Sequence, residues 1–469
     1  MRADEEVNSD RIAVLMLEDG TCFVGTSSGA EGEAVGEINC NTAMVGYPEI
    51  ISDSANAGQI VTLTYPQIGN YGITISDLES ERLHLRGLIA KEFCSTPSNY
   101  RSTSKLTDLL VRQGIVALSG IDTRALSRYL REHGSMRAVI STVDHDVDSL
   151  LAKAGNSPMP SDENLVATVS TSKPYLYQMD ADHEAWYGPL AALQYKVIVI
   201  DLGVMRTTLD TLTRLGCAVI VLPWNTSAAE VLAYQPQGVV FSTGPGDPRV
   251  VTPTIQTAAG LMGKLPILGL GLGHQVLALA AGGAVESLAV GHHGANYPVK
   301  DLISDRINIT AQNHRFTVRF DTLGPVNTSW GKTVAANNTC GRILLSETDL
   351  KDQTVEGLHY LDIPAVSVQY HPEFACGPIE GNNVFLEFIK LINMRIKPQA
   401  DGIEAISSMI DTETVASPSD AETVASSSDA ETVASPSDAE TVASPSDAET
   451  VAPPDITANT TSASEPDHA

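Results

Sequence analysis

The chain has 469 residues, enough for two or three domains with cores of their own, and no apolar run reaches the roughly 18 residues that a membrane span needs. A formal net charge of −28 argues against nucleic-acid or anionic-membrane binding. Six cysteines, Cys22, Cys40, Cys94, Cys217, Cys340 and Cys376, lack CxxC spacing, which argues against a zinc site or a disulfide framework and fits a reducing cytosol.

The acidic start, Met1 to Glu6, has no apolar signal-peptide core, so a cytoplasmic protein is expected. From about Arg11 to Val143, short β-like runs alternate with glycine-rich turns, the pattern of an α+β domain over residues 1–150. Ile12 to Leu17 and Gln59 to Tyr65 read as strands, with Tyr65 to Gly72 as a loop. Ser104 to Arg112 has helical spacing, and so does Asp122 to His133, stopped by Gly134. The basic residues of the second helix suit a solvated or partner-facing surface. Residues 151–193 are polar and proline-bearing, a helix plus linker.

The texture then changes. Lys196–Asp201, Cys217–Leu222, Gly238–Ser242 and Pro266–Leu270 are nearly continuous apolar runs, as parallel strands buried on both faces require. Helical patterns at Met205 to Leu215 and Thr254 to Met262 separate them, and a closing helix runs from about Asn383 to Met394. Residues 194–397 therefore read as a doubly wound α/β domain with its site at the strand C-termini. Ile307–Thr310 and Ala365–Tyr370 are further strand candidates. After Lys397 a nine-residue unit, Glu-Thr-Val-Ala-Ser-Pro-Ser-Asp-Ala, recurs from Glu413 with 15 acidic residues and no Lys or Arg, leaving the preceding residues at −13. Residues 398–469 are expected to be a disordered, solubilising acidic tail.

One stretch organises the second domain. Pro266 to Leu270 runs into Gly271-Leu272-Gly273-His274-Gln275 and then an apolar helix, the layout of a nucleophile elbow above a parallel sheet. The helix N-terminus supplies free N–H groups suited to an oxyanion or thiolate. The apex residue is Gly271, which has no nucleophile. Three more segments converge there: Phe241 to Pro248 with Gly244 and Gly246, Thr310-Ala311-Gln312-Asn313-His314-Arg315-Phe316, which follows another strand, and Gln369-Tyr370-His371-Pro372-Glu373. A carboxylate two residues from an imidazole can fix its tautomer, as in a triad; read alone, His371 and Glu373 are also what a surface ion pair looks like.

Together these segments resemble the small subunit of carbamoyl phosphate synthetase, whose C-terminal half is a class I (triad) glutamine amidotransferase. The elbow is shared by many amidotransferases. Gly291 to Asp301, Ala311 to His314, Asn41 to Glu49, Tyr65 to Gly72 and Gly120 to Arg124 are the stretches that resemble this family in particular, and the likeness covers roughly residues 11 to 395. The resemblance implies a glutamine-hydrolysing subunit that passes ammonia to a large subunit, for arginine and pyrimidine biosynthesis, as a heterodimer or higher oligomer. It implies no cofactor or metal in this chain, with ATP and magnesium in the large subunit; no Walker loop occurs here.

By the same resemblance Gly244, Gly246, Leu272, Gln275, Asn313 and Phe316 would hold glutamine, and His371 and Glu373 would complete the triad. Three positions depart from the family: Gly271 stands where it has its nucleophilic cysteine, Ala43 where it has a pocket serine, and Arg315 where it has a glycine. An inactive glutaminase is the expectation. Losing a triad nucleophile costs on the order of 10⁶ in turnover, about 8 kcal/mol. Arg315 either enters the pocket and blocks it or turns out to solvent. Two alternatives stay open: a glutaminase with a non-standard nucleophile such as Cys376, and a structural or regulatory protein without a synthetase role.

Overall fold

In the computed structural model, which describes residues 12–159, 163–180, 192–329, 332–373 and 383–395, the N-terminal part closes on itself. Its strands are β1 (Ile12–Leu17), β2 (Cys22–Ser27), β3 (Glu33–Asn41), β4 (Gln59–Ile68), β5 (Gly87–Phe93), β6 (Val116–Ser119) and β7 (Met136–Ser141). They form a closed barrel in the order β1-β2-β6-β5-β4-β3-β7. Strands β3 to β6 pair in parallel, and antiparallel pairing of β7 with both β1 and β3 shuts the ring. Closure removes the free edges that so many short strands would otherwise expose. The strand expected to end at Tyr65 runs on through Pro66 to Ile68, because a register shift after Leu63 lets it pair again with β5.

The helix Thr123–His133 lies where its spacing predicts. Asp122 caps it by accepting from the Ala125 N–H at 2.9 Å, and Gly134, at φ 89°, ends it. Leu126 and Leu130 face the barrel core while its arginines face outward.

Then come β8 (Tyr175–Leu176), β9 (Tyr195–Asp201), β10 (Cys217–Pro223), β11 (Gly238–Phe241), β12 (Ile267–Leu270), β13 (Ala284–Asp301), β14 (Ile307–Arg319), the hairpin β15 (Val326–Ser329) and β16 (Lys332–Asn337), β17 (Gly341–Asp349), β18 (Val355–Tyr360) and β19 (Ala365–Val368). One sheet runs β14-β13-β17-β18-β19-β12-β11-β9-β10-β8. Its centre, β19-β12-β11-β9-β10, is parallel. Along β9, Ile198 and Ile200 enter one core while Val197 and Val199 enter the other, so both faces are covered. Helices Arg206–Arg214 and Asn383–Arg395 cover one face, and Thr252–Leu261 and Leu272–Ala280 the other.

The structure differs from the sequence reading in one long stretch. Thr310 to Phe316, expected to follow a strand, is the middle of one: β14 pairs antiparallel with the 18-residue β13, opposing His292 to His314 and His293 to Asn313. The expected acidic tail, 398–469, and Cys376 lie outside the described residues. Among those residues no helix is long and apolar enough to cross a membrane.

Candidate active site

The site lies where the C-terminal end of the parallel sheet meets the barrel. Strand β12 ends at Leu270, and the chain turns at Gly271 (φ 52°, ψ −109°) into the helix Leu272–Ala280. Positive φ strains any residue with a Cβ, the condition that makes an elbow sharp. The Gly271 N–H donates to the Val368 carbonyl at 2.9 Å, tying the turn to β19. A Cβ on Gly271 would lie 3.1 Å from the Thr243 Cγ2 methyl and otherwise meet ordinary contacts. The turn thus comes within a few tenths of an ångström of admitting a small side chain. Gly244 and Gly273 have no such room: a Cβ there would sit 2.1 Å from the Leu202 and Phe241 carbonyl oxygens. Those approaches bring the Ser242 to Gly246 loop and the helix start together, and the Leu272 N–H, first in its helix, has no acceptor within it.

Gln275 donates from Nε2 to the Phe316 carbonyl (2.7 Å) and to Gln369 Oε1 (2.9 Å), joining helix, β14 and the segment after β19. His274 packs: it is fully buried, with Nδ1 2.8 Å from Ser367 Oγ, and burial pushes its imidazole down to about 3.

His371 and Glu373 are both buried, so they are not the surface ion pair that the two residues alone would also fit. The His371 N–H donates to the Ala311 carbonyl (2.9 Å), which anchors the segment on β14. Nδ1 lies 3.8 Å from Glu373 Oε1 and 3.2 Å from Met205 Sδ. Thr208 Oγ1, in the first turn of Arg206–Arg214, donates to Glu373 Oε1 at 2.9 Å. Burial alone would lower the His371 imidazole, but the carboxylates of Glu373, Asp53 and Glu79 outweigh it and hold it above its ordinary value.

Gly244, Gly246, Gly271, Leu272, Gln275, Asn313, Arg315, Phe316 and His371 all line one cavity. Ala43 does not. It borders a smaller space, reached past Asn313 and His371, that Asn41, Asp53 and Ala311 also line. Glu373 stands behind His371 rather than on the cavity.

Arg315 resolves toward the pocket rather than toward solvent. Its guanidinium Nη1 pairs with Glu37 of β3, a carboxylate 2% exposed, and its Nε donates to Ser287 Oγ at 3.1 Å. Burial raises the Glu37 carboxyl, and the Arg315 charge opposes that. Paired in this way, the two side chains take up part of the space that the other lining residues enclose. Gln369, in one of the converging segments, lines this cavity too, as do Glu37 and Gln59, which escaped the sequence reading; Glu37 is the acid among them. Its only signal was an acid at an inward-facing position of Glu33 to Asn41.

Asn313 is held as firmly. Nδ2 donates to Asp53 Oδ2 (2.6 Å) and Asn56 Oδ1 (3.2 Å), and Oδ1 faces His293 Nδ1 at 2.8 Å. The barrel therefore supplies part of the wall of a site whose elbow belongs to the sheet.

A parallel sheet ending in this elbow, with a buried imidazole brought to the same space from the segment after the next strand, defines the class: a profile for glutamine amidotransferase class-I matches residues 198–391. A profile for the carbamoyl-phosphate synthase small chain, CPSase domain, matches residues 15–140. The chain is 42% identical over 390 residues to the carbamoyl phosphate synthase small chain of Syntrophotalea carbinolica, covering 82% of this chain and 99% of the relative. It is 42% identical over 378 residues to that of Bacillus caldolyticus, covering 81% and 96%. A pyrimidine-specific small chain from Halalkalibacterium halodurans is also 42% identical, covering 81% and 96%. The chain belongs to the carbamoyl phosphate synthase small chain family.

Proposed function

We propose that this chain serves as the small subunit of a carbamoyl phosphate synthase and that its own glutaminase is silent. The observation that carries the reading is Gly271 at the elbow, which by the resemblance stands where the family has its nucleophilic cysteine. No thioester forms on a glycine. His371, supported by Glu373, then has no thiol to deprotonate and assists at most a water. None of the cysteines among the described residues lines the cavity, which weakens the case for a substitute nucleophile there. The Arg315–Glu37 pair supplies a second block by occupying the space where glutamine would lie against Gly244, Gly246, Gln275, Asn313 and Phe316.

On this reading the partner is a large, ATP- and magnesium-using subunit that runs on free ammonia, in arginine or pyrimidine biosynthesis. The small subunit supports it structurally. The test is glutamate release from glutamine by the full chain with a large subunit, compared with Gly271→Cys, Arg315→Gly and the double variant. Wild type and both single variants are expected to stay at least about 10³-fold below the double variant. Steady glutamate release by the wild type would overturn the proposal. Co-purification with the large subunit tests the partner separately.

A further inference from the structure

Three buried side chains meet behind the candidate active site, and one of them, His314, also lines the cavity that Gly271 borders. His292 and His314 oppose each other across β13 and β14, and Glu356 reaches them from β18. The ring atoms His292 Nδ1 and His314 Nε2 lie 4.0 and 3.9 Å from Glu356 Oε1, and the three atoms are within 4.8 Å of one another. All three residues are at least nine-tenths buried.

The surroundings settle which way each ring is protonated. His292 Nε2 is 2.8 Å from Asp352 Oδ2, and His314 Nδ1 is 2.9 Å from the Phe316 carbonyl oxygen. Both neighbours accept only, so those nitrogens carry the protons and the lone pairs sit on His292 Nδ1 and His314 Nε2. These two nitrogens are the ones that lack a hydrogen-bond partner. Glu356 is itself oriented: its Oε2 accepts from Gln312 Nε2 at 2.7 Å, which turns Oε1 toward the imidazoles.

A separation of 3.9–4.0 Å is too long for a hydrogen bond, so a proton on Glu356 serves neither ring directly. Glu356 Oε1 also accepts from Thr354 Oγ1 at 3.3 Å, which leaves the two ring nitrogens as the unfilled acceptors. A single cation bridges both and Glu356 Oε1 at once, drawing them together by roughly half an ångström to reach bonds of about 2.0–2.2 Å. Each imidazole already donates its remote N–H to a carboxylate or carbonyl, the outer contact that metal-bound histidines make. Two imidazoles and one carboxylate select a zinc-class divalent ion over magnesium or calcium, which prefer oxygen.

We propose that His292 Nδ1, His314 Nε2 and Glu356 Oε1 form a buried site for a divalent transition-metal ion of the zinc class, with one position open to water. The ion pins three strands beneath Asn313 and Arg315. It needs no cysteine, which is why thiol spacing gave no sign of it.

The test uses the full chain, stripped with a chelator and titrated with Co²⁺ and then Zn²⁺. One cobalt per chain is expected, with visible d–d bands, no thiolate charge-transfer band, and displacement by zinc. His292→Ala abolishes these bands, and Asp352→Asn, on a partly exposed residue, weakens the affinity about 10–100-fold. Absence of d–d bands in the wild type at 100-fold molar excess of Co²⁺ overturns the proposal. So does equal cobalt binding by wild type and His292→Ala. Should His292→Ala fail to fold, an unchanged affinity in Asp352→Asn overturns it instead.

Discussion

Gly271 combines a positive φ with a space that almost accepts a Cβ, and the two properties act in opposite directions on Gly271→Cys. The contact with Thr243 asks only a few tenths of an ångström, so strain at φ 52° dominates. The variant is expected to lose about 1–3 kcal/mol of stability, read as a lower urea midpoint at unchanged slope. Arg315→Gly acts through its partner. It strands Glu37, 2% exposed, without its cation, and is expected to destabilise by on the order of 3 kcal/mol. Adding Glu37→Gln should recover about half of that or more, because the buried charge is gone. A double-mutant cycle by urea denaturation reads the coupling, and full additivity would show that the pair carries none. Arg315 was visible in the sequence only as two options, inward or outward. Choosing between them required Glu37, which is 278 positions away and opposed to it only once the barrel has closed.

Elements differed in how readable they were. The parallel strands and the elbow announced themselves because strands buried on both faces leave uninterrupted apolar runs, and because glycine is the residue that such a turn admits. Barrel closure left no comparable mark: β7 pairs with β1 and β3 through registers that no local pattern encodes. The same holds for β14, whose polar run from Gln312 to Arg315 looks like a loop until β13 is laid beside it. The helix Arg206–Arg214 was readable, but not what its first turn holds. Its Thr207 N–H and hydroxyl both donate to the buried Glu79 carboxyl (3.0 and 2.9 Å). Burial nevertheless raises that carboxyl to about 8. A raised acid stabilises the fold while protonated, fully below about 4.5 and progressively less as pH climbs through 8. Glu79→Gln is therefore expected to flatten the decline of unfolding free energy between pH 5 and 8, by up to ~1.4 kcal/mol per pH unit. An unaltered pH profile in the variant would contradict this.

At the scale of the whole molecule, barrel and sheet share a polar seam. Asn313 meets Asp53, Arg315 meets Glu37, Thr207 meets Glu79, and the Thr42 N–H donates to the His293 carbonyl at 3.1 Å. Parting the halves would expose these groups unpaired. Calorimetry is expected to show one cooperative transition for both, and two separated peaks would refute the shared seam.

That seam gives the Arg315–Glu37 contact a different meaning. A substrate pocket is ordinarily vacated and refilled by diffusion, with occupancy set by ligand concentration. On the proposed reading the occupant is built into the chain, a tethered competitor whose effective concentration is on the order of millimolar or higher. A free metabolite displaces it only where its own concentration and affinity together exceed those of this tethered neighbour. On that reading the cavity is an internal joint.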